Sequence, residues 1–185
     1  MTSKALSDDR PVGVIGAGNF GSVIANMLAR QKNVLLYARD EKVVQRIRDT
    51  RENRGHKLHE NIQPTSNMAQ LAKSCQVIFP IVPSVHFRSM MRQLSPYLHP
   101  YHILIHGTKG FDITLPPNET LDTIARLNRT QVKTISEVIR EESVVVRMGC
   151  LAGPNLSREL AANHPAATVI ASHFDEVIEL GKKLL

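Results

Sequence analysis

Three glycines carry the first chemical signal in this chain of 185 residues. Gly16-Ala17-Gly18-Asn19-Phe20-Gly21 has the spacing GxGxxG. It follows the apolar run Pro11–Ile15 and opens a stretch of helical periodicity, so each glycine acquires a task. Gly16 permits a tight turn. Gly18 lets the backbone approach a phosphate with no side chain between, and Gly21 lets the helix pack close to the sheet. A pyrophosphate would lie on the helix N-terminus, where unpaired N–H groups and the helix dipole favour negative charge. The chemistry implied is dinucleotide binding, and the plainer alternative is a glycine turn with no ligand.

The end of a second strand should read the adenosine ribose: an acid there favours NAD, and an arginine nearby accommodates the phosphate of NADP. Arg39 followed by Asp40 presents both signals. Arg39 suits adenine stacking or a 2′-phosphate, unless a salt bridge with Asp40 or Glu41 occupies it. The balance tilts to NADPH, and the cofactor is written NAD(P).

The elements that position these residues follow from periodicity. Phe20, Val23, Ile24, Met27 and Leu28 place a helix over Asn19–Arg30. Asn33–Ala38 is apolar nearly throughout, as a parallel strand buried on both faces is. Helices are expected at Glu41–Thr50, Ser66–Lys73, Ser84–Leu94, Val132–Ile139, Ser157–Ala162 and Phe174–Leu185. Further strands are expected at Val77–Val82, His102–His106, Ser143–Leu151 (centred on its valine triplet) and Ala167–Ala171. Pro80 cannot donate to a ladder and predicts a local irregularity. Arg51–Asn61 is polar and reads as an exposed loop. Strands alternating with helices imply an α/β fold with a doubly wound, mostly parallel sheet of the Rossmann type. Met1–Arg10 is polar, lacks an apolar signal core, and is expected to be a flexible tail, leaving 11–185 as one dinucleotide-binding domain.

Composition is ordinary for a globular protein: 42% hydrophobic, 22% charged, no tryptophan. The formal charge of +6 suits anionic small molecules as well as it suits an ordinary basic surface. No basic run is interleaved with aromatics, so nucleic acid is not an expected partner. Cys75 and Cys150 stand apart, outside any CxxC pair; buried thiols in a reducing compartment are expected, with no metal site. No apolar run approaches a membrane span, and a cytoplasmic location is expected.

Five segments in order resemble soluble glycerol-3-phosphate dehydrogenase: GAGNFG at Gly16–Gly21, LYARD at Leu36–Asp40, VPS at Val82–Ser84, TKGFD at Thr108–Asp112 and AGPNLSREL at Ala152–Leu160. Glu159 stands in the place of that family's acid, and His164-Pro165-Ala166-Ala167-Thr168 follows as a similar stretch does in the family. The match runs from Val12 through nearly the whole chain. The resemblance implies reversible hydride transfer between dihydroxyacetone phosphate and sn-glycerol 3-phosphate, with a small phosphorylated substrate as the partner. It implies cofactor contacts from Asn19, Phe20, Arg39, Lys109 and Ser157, alongside Gly16, Gly18 and Gly21. Lys109 would lie between nicotinamide and substrate, with Gly153 and Asn155 lining the substrate pocket. A positioned ammonium suits a carbonyl whose oxygen gains charge; a solvated loop lysine is the plain alternative. Asn155 and Ser157 could equally cap a helix. His106 is a candidate proton donor, though a strand-end histidine is more often structural.

Two departures from the family stand out. Thr114–Gln131, with Pro116-Pro117 and an expected short helix at Glu119–Leu127, looks inserted: a lid, or more simply a surface elaboration. The family continues into a helical substrate domain that supplies a second lysine, the expected general base, and no such segment occurs here. Ile178, Leu184 and Leu185 would then be partly uncovered, which predicts a homodimer or concentration-dependent association. The alternatives are another two-domain dehydrogenase, of the ketopantoate reductase or sugar-nucleotide dehydrogenase type, and a non-catalytic dinucleotide-binding sensor.

Overall fold

A computed structural model describes residues 9–124, 126–154, 157–162, 164 and 167–185. Most of the expected tail therefore lies outside the described residues. The chain begins with β1 (Val12–Ile15), α1 (Asn19–Ala29), β2 (Val34–Tyr37) and α2 (Glu41–Thr50). Two short strands, β3 (Glu52–Asn53) and β4 (His56–Lys57), precede β5 (Ile62–Thr65), α3 (Met68–Ser74), β6 (Val77–Pro80) and α4 (Ser84–Leu94). Then come β7 (Ile103–His106), β8 (Asp112–Ile113), β9 (Val132–Lys133), α5 (Ile135–Glu142) and β10 (Met148–Ala152). The chain closes with α6 (Ser157–Ala161), β11 (Val169–Ser172) and α7 (Asp175–Leu184).

Seven strands form the main sheet in the order β5-β2-β1-β6-β7-β10-β11. All neighbours are parallel except β11, which runs antiparallel to β10 at one edge. Side chains alternate across a strand, so β1 and β6 feed two cores. Val12, Val14, Val77 and Phe79 meet Ile24 and Leu28 of α1 and Val177 of α7 on one face. Ile15 and Ile78 meet Leu71 of α3, Phe87 and Met91 of α4 and Ile139 of α5 on the other. This is the doubly wound Rossmann arrangement expected from the alternation of elements.

Several boundaries differ from expectation for physical reasons. The valine triplet is not in a strand: Val145 is buried, but Val144 and Val146 are 55% and 61% exposed. The ladder to β7 starts where Leu104 N–H donates to the Arg147 carbonyl, so β10 begins at Met148. Val132 belongs to β9, and α5 starts only after Thr134, whose hydroxyl accepts from Glu137 N–H while Glu137 accepts from Thr134 N–H. The polar stretch 51–61 is not a plain loop but holds the β3–β4 hairpin, and β5 was not foreseen. Pro80 ends β6 rather than bending its middle, with its carbonyl accepting from Gly107 N–H.

The segment 114–131 leaves and returns through the paired strands β8 and β9. Among its described residues the expected helix Glu119–Leu127 is absent; Thr120 instead caps a single turn, accepting from Ile124 N–H at 3.0 Å. Its base is fastened by Arg88 of α4, which pairs with Asp112 at 2.8 Å, Glu141 at 2.8 Å and Glu142 at 2.5 Å. Leu184 is buried, contrary to expectation, while Ile178 and Leu185 are half-buried. Cys75 is buried, which pushes its thiol up to about 12, but Cys150 is only half-buried. Among the described residues no helix is long and apolar enough to cross a membrane.

Candidate functional site

Because β1, β2, β6, β7 and β10 are parallel, their C-terminal ends lie along one sheet edge. The glycine turn, Arg39, Val82–Ser84, Lys109 and Gly153 are carried there on five separate loops. The chain crosses from β1 to one side and from β6 to the other, so a crevice opens between them, the usual ligand position in open α/β sheets.

The three glycines of the turn answer to different constraints. Gly16 has φ of 118°, and a Cβ there would lie 2.1 Å from the Ile81 carbonyl oxygen. A Cβ on Gly21 would lie 1.8 Å from the Gly16 carbonyl oxygen, so α1 approaches β1 only without one. Gly18 is different: its φ of −81° and ψ of −176° suit any residue, and a Cβ there would meet nothing within 4 Å. No atom of the described residues requires glycine at 18; the space it leaves open adjoins the first turn of α1. Gly18 is the N-cap of that helix, with no side-chain cap and no acid in the first turn. Asp40, by contrast, caps α2 by accepting from Lys42 N–H. The positive end of α1 is thus left for an external anion, and the residues present fit a dinucleotide's diphosphate.

Asn19 is exposed, while Phe20 is half-buried against the core, close to where a Cβ on Gly107 would lie. Arg39 is exposed at the end of β2. The carboxylates that could have occupied it are engaged elsewhere: Asp40 caps α2, and Glu41 pairs with Arg48 and accepts from the Ser66 hydroxyl. Lys109 leaves β7 and reaches β10, its Nζ 3.3 Å from the Leu151 carbonyl oxygen. Thr108 beside it is buried and donates to the Val82 carbonyl at 2.8 Å, joining the loops after β6 and β7. Gly153, with φ of 122°, turns the chain at the end of β10. Ser157 is half-buried at the start of α6, which lies against α1, and Glu159 and His164 are exposed. Asn155, Pro165 and Ala166 lie outside the described residues.

His106 is buried at the end of β7, with Nε2 3.1 Å from the Ser136 hydroxyl, while Nδ1 has no hydrogen-bond partner among the described residues. Burial lowers its pKa to about 4, helped by the Lys109 charge and opposed by the Thr108 backbone. Neutral at pH 7 and enclosed, it fits the structural reading of a strand-end histidine. Burial raises the Cys150 thiol, and Lys109 opposes that shift.

Sequence reasoning passed over Asn53, which is buried beneath the glycine turn: its Nδ2 donates to the Ala17 carbonyl at 2.9 Å and to the Ser22 hydroxyl at 2.8 Å. No apolar pattern marks a residue whose entire contribution is one amide group. The turn chemistry of Arg54-Gly55, which closes the hairpin with positive φ at both positions, was the available signal.

Known proteins share this arrangement. The family model described as the N-terminus of NAD-dependent glycerol-3-phosphate dehydrogenase matches residues 11–178. Glycerol-3-phosphate dehydrogenase [NAD(P)+] of Pseudomonas aeruginosa (strain LESB58) is 31% identical over 177 residues, covering 93% of this chain and 47% of the relative. The enzyme of that name from Pseudomonas savastanoi pv. phaseolicola is 32% identical over 180 residues, covering 94% and 47%. The chain thus spans about half the length of these curated relatives. The crystal structure of glycerol-3-phosphate dehydrogenase from Coxiella burnetii superposes with a TM-score of 0.80 at 23% identity, over 96% of this chain and 51% of that one, which shows the shared fold. The glycine turn, the lysine after β7 and the glycine-proline after β10 are therefore met in one setting, and the chain belongs to the family of NAD-dependent glycerol-3-phosphate dehydrogenases, whose N-terminal region it matches.

Proposed function

We propose that this chain is the cofactor-binding part of an NAD(P)-dependent glycerol-3-phosphate dehydrogenase, which interconverts dihydroxyacetone phosphate and sn-glycerol 3-phosphate. The observation that carries the reading is the contrast within the glycine turn. Gly16 and Gly21 are demanded by protein atoms, whereas Gly18 faces open space beside an uncapped helix end. NAD(P)H, when bound, supplies the hydride. The turn and α1 hold its diphosphate, and Gly16, Gly18, Asn19, Phe20 and Gly21 form that cradle. Arg39 takes the adenosine end, where its free guanidinium suits a 2′-phosphate. Lys109 sets a positive charge where the substrate's oxygen gains negative charge, and with Gly153 and Ser157 it borders the substrate and nicotinamide pocket, a role that the family resemblance extends to Asn155.

Residues 11–185 would act as the cofactor domain, with the opposite wall and the proton-exchanging group supplied by a further helical domain. Lys109 and Arg39 are exposed, so the described edge by itself does not exclude water from a reacting pair. We place the activity in the cytoplasm, in line with the free thiols of Cys75 and Cys150. The test is a fluorescence titration of the purified chain with NADH and NADPH. Saturable binding abolished by Gly18→Val in a folded protein supports the reading; binding unchanged by that substitution overturns it.

A further inference from the structure

The β3–β4 hairpin is fastened along the length of α1. Asn26 of α1 donates from Nδ2 to the Lys57 carbonyl and accepts from His59 N–H on Oδ1, both at 2.9 Å. Asn61 donates to the Ala29 carbonyl at 2.9 Å. At the other end stands Asn53, 1% exposed. Its Oδ1 accepts from Arg46 at 3.0 Å, which sets the orientation of the amide and turns both Nδ2 hydrogens toward the Ala17 carbonyl and the Ser22 hydroxyl. The reversed amide would press oxygen against the Ala17 carbonyl.

Ala17 is the residue between the first two glycines of the turn, and the described chain has no cis peptide bond. In a trans peptide the C=O and the following N–H point in opposite directions from one rigid plane. A bond that draws the Ala17 carbonyl inward therefore aims the Gly18 N–H outward, toward the open side of the turn. Ser22, held by the same amide, is in the first full turn of α1, so one side chain sets both the loop and the helix that follows it.

We propose that Asn53 is a positioning residue for the cofactor's diphosphate: from a separate hairpin it fixes the Ala17–Gly18 peptide plane and the start of α1 in the conformation that receives the anion. The role rests on the dinucleotide reading given above. Asn53 touches no ligand itself, and its effect is carried wholly through the turn.

The donor-deleting variant is Asn53→Asp, which keeps size and the acceptor for Arg46 but replaces the donor with oxygen. Because its carboxylate also repels an anion, Ser22→Ala, which adds no charge, is titrated beside it and must weaken ADP too. The 185-residue chain is titrated with ADP, which carries the diphosphate, and with adenosine, which lacks it, the second by NMR at high concentration. Loss of the two amide donors that fix the turn predicts a fall in ADP affinity of about tenfold, with adenosine changed less than about twofold. Amide exchange should accelerate over residues 16–22 while β1, β6 and β7 keep their protection. Ser22→Ala removes one arm of the contact and should weaken ADP by about threefold under the same comparison, whether or not Asn53→Asp folds. Equal loss of ADP and adenosine, or uniform acceleration of exchange, would show Asn53 to be a general structural residue; unchanged ADP affinity in Ser22→Ala would also overturn the proposal. Failure of the wild-type chain to bind either ADP or NADH overturns the dinucleotide reading itself, a separate outcome.

Discussion

Lys109 links the loop after β7 to β10: it stands three residues beyond the end of β7, and its Nζ is 3.3 Å from the carbonyl oxygen of Leu151 on β10. The ammonium is thus held over the sheet edge by its neighbour's backbone, and its loop is anchored on both sides. Thr108 bonds to Val82, and Asp112 is gripped by Arg88. A charge so placed can act on a developing oxyanion at the end of the strands. Lys109→Met in the complete dehydrogenase polypeptide should lower kcat by about 10² to 10³ with the fold intact, the range for loss of one oxyanion donor. Near-wild-type turnover would return Lys109 to a surface role.

The glycine turn separates stability from binding. Gly21→Ala drives a methyl group against the Gly16 carbonyl and should cost about 1–3 kcal/mol or more in thermal unfolding. Gly18→Ala has neither a clash nor a backbone penalty and should leave the melting temperature unchanged, while NADH affinity falls. A Gly18→Ala protein that melts early yet binds NADH normally would contradict the assignment.

Arg39 should discriminate between cofactors. With Asp40 and Glu41 engaged elsewhere, Arg39→Ala disrupts no described ion pair, so the fold should persist. A well-formed contact to a 2′-phosphate is worth roughly 1.5–3 kcal/mol, and the variant should lose that much with NADPH and less with NADH. Isothermal titration with both cofactors checks it; equal losses would assign Arg39 to adenine alone.

His106 makes stability depend on pH. Its pKa falls from 6.5 to about 4 on folding, chiefly through burial, so between these values the unfolded chain binds more protons. Stability from this residue is complete above about pH 6.5 and is lost as pH falls through about 4, a span of roughly 3 kcal/mol. Urea unfolding from pH 7 to pH 4.5 should show a steeper decline for the wild type than for His106→Phe. Identical slopes would mean that His106 is not held neutral in the folded protein.

Much of the architecture was legible from residues 12–106. Strands such as Ile103–His106 are apolar on both faces, and helices such as Glu41–Thr50 carry a single apolar stripe, so each period reports its own burial. Boundaries failed where a tertiary partner decides. The valine triplet has β character but no ladder until Arg147, and Val132 fits a helical stripe yet pairs with Ile113. Thr134 and Glu137 were the local signal that would have set the start of α5.

The sequence alone determined the glycine spacing, the order of the longer helices and of β1, β2, β6, β7, β10 and β11 but not of β3–β5, β8 or β9, and the presence of Arg39, Lys109 and Gly153 in loops after strands. Those are local properties, since a turn, a period or a loop position depends on neighbours in the chain. Only the tertiary structure decided that these loops share one edge, because parallel pairing of β1, β2, β6, β7 and β10 aligns their C-terminal ends. It alone separated Gly18 from Gly16 and Gly21, since the obstructing carbonyl at Gly16 belongs to Ile81, 65 residues on. It alone brought Asn53 beneath the turn, 36 residues from Ala17. A buried polar contact between distant residues leaves no periodicity behind; it exists only when the folded chain excludes water and forces each donor to find an acceptor.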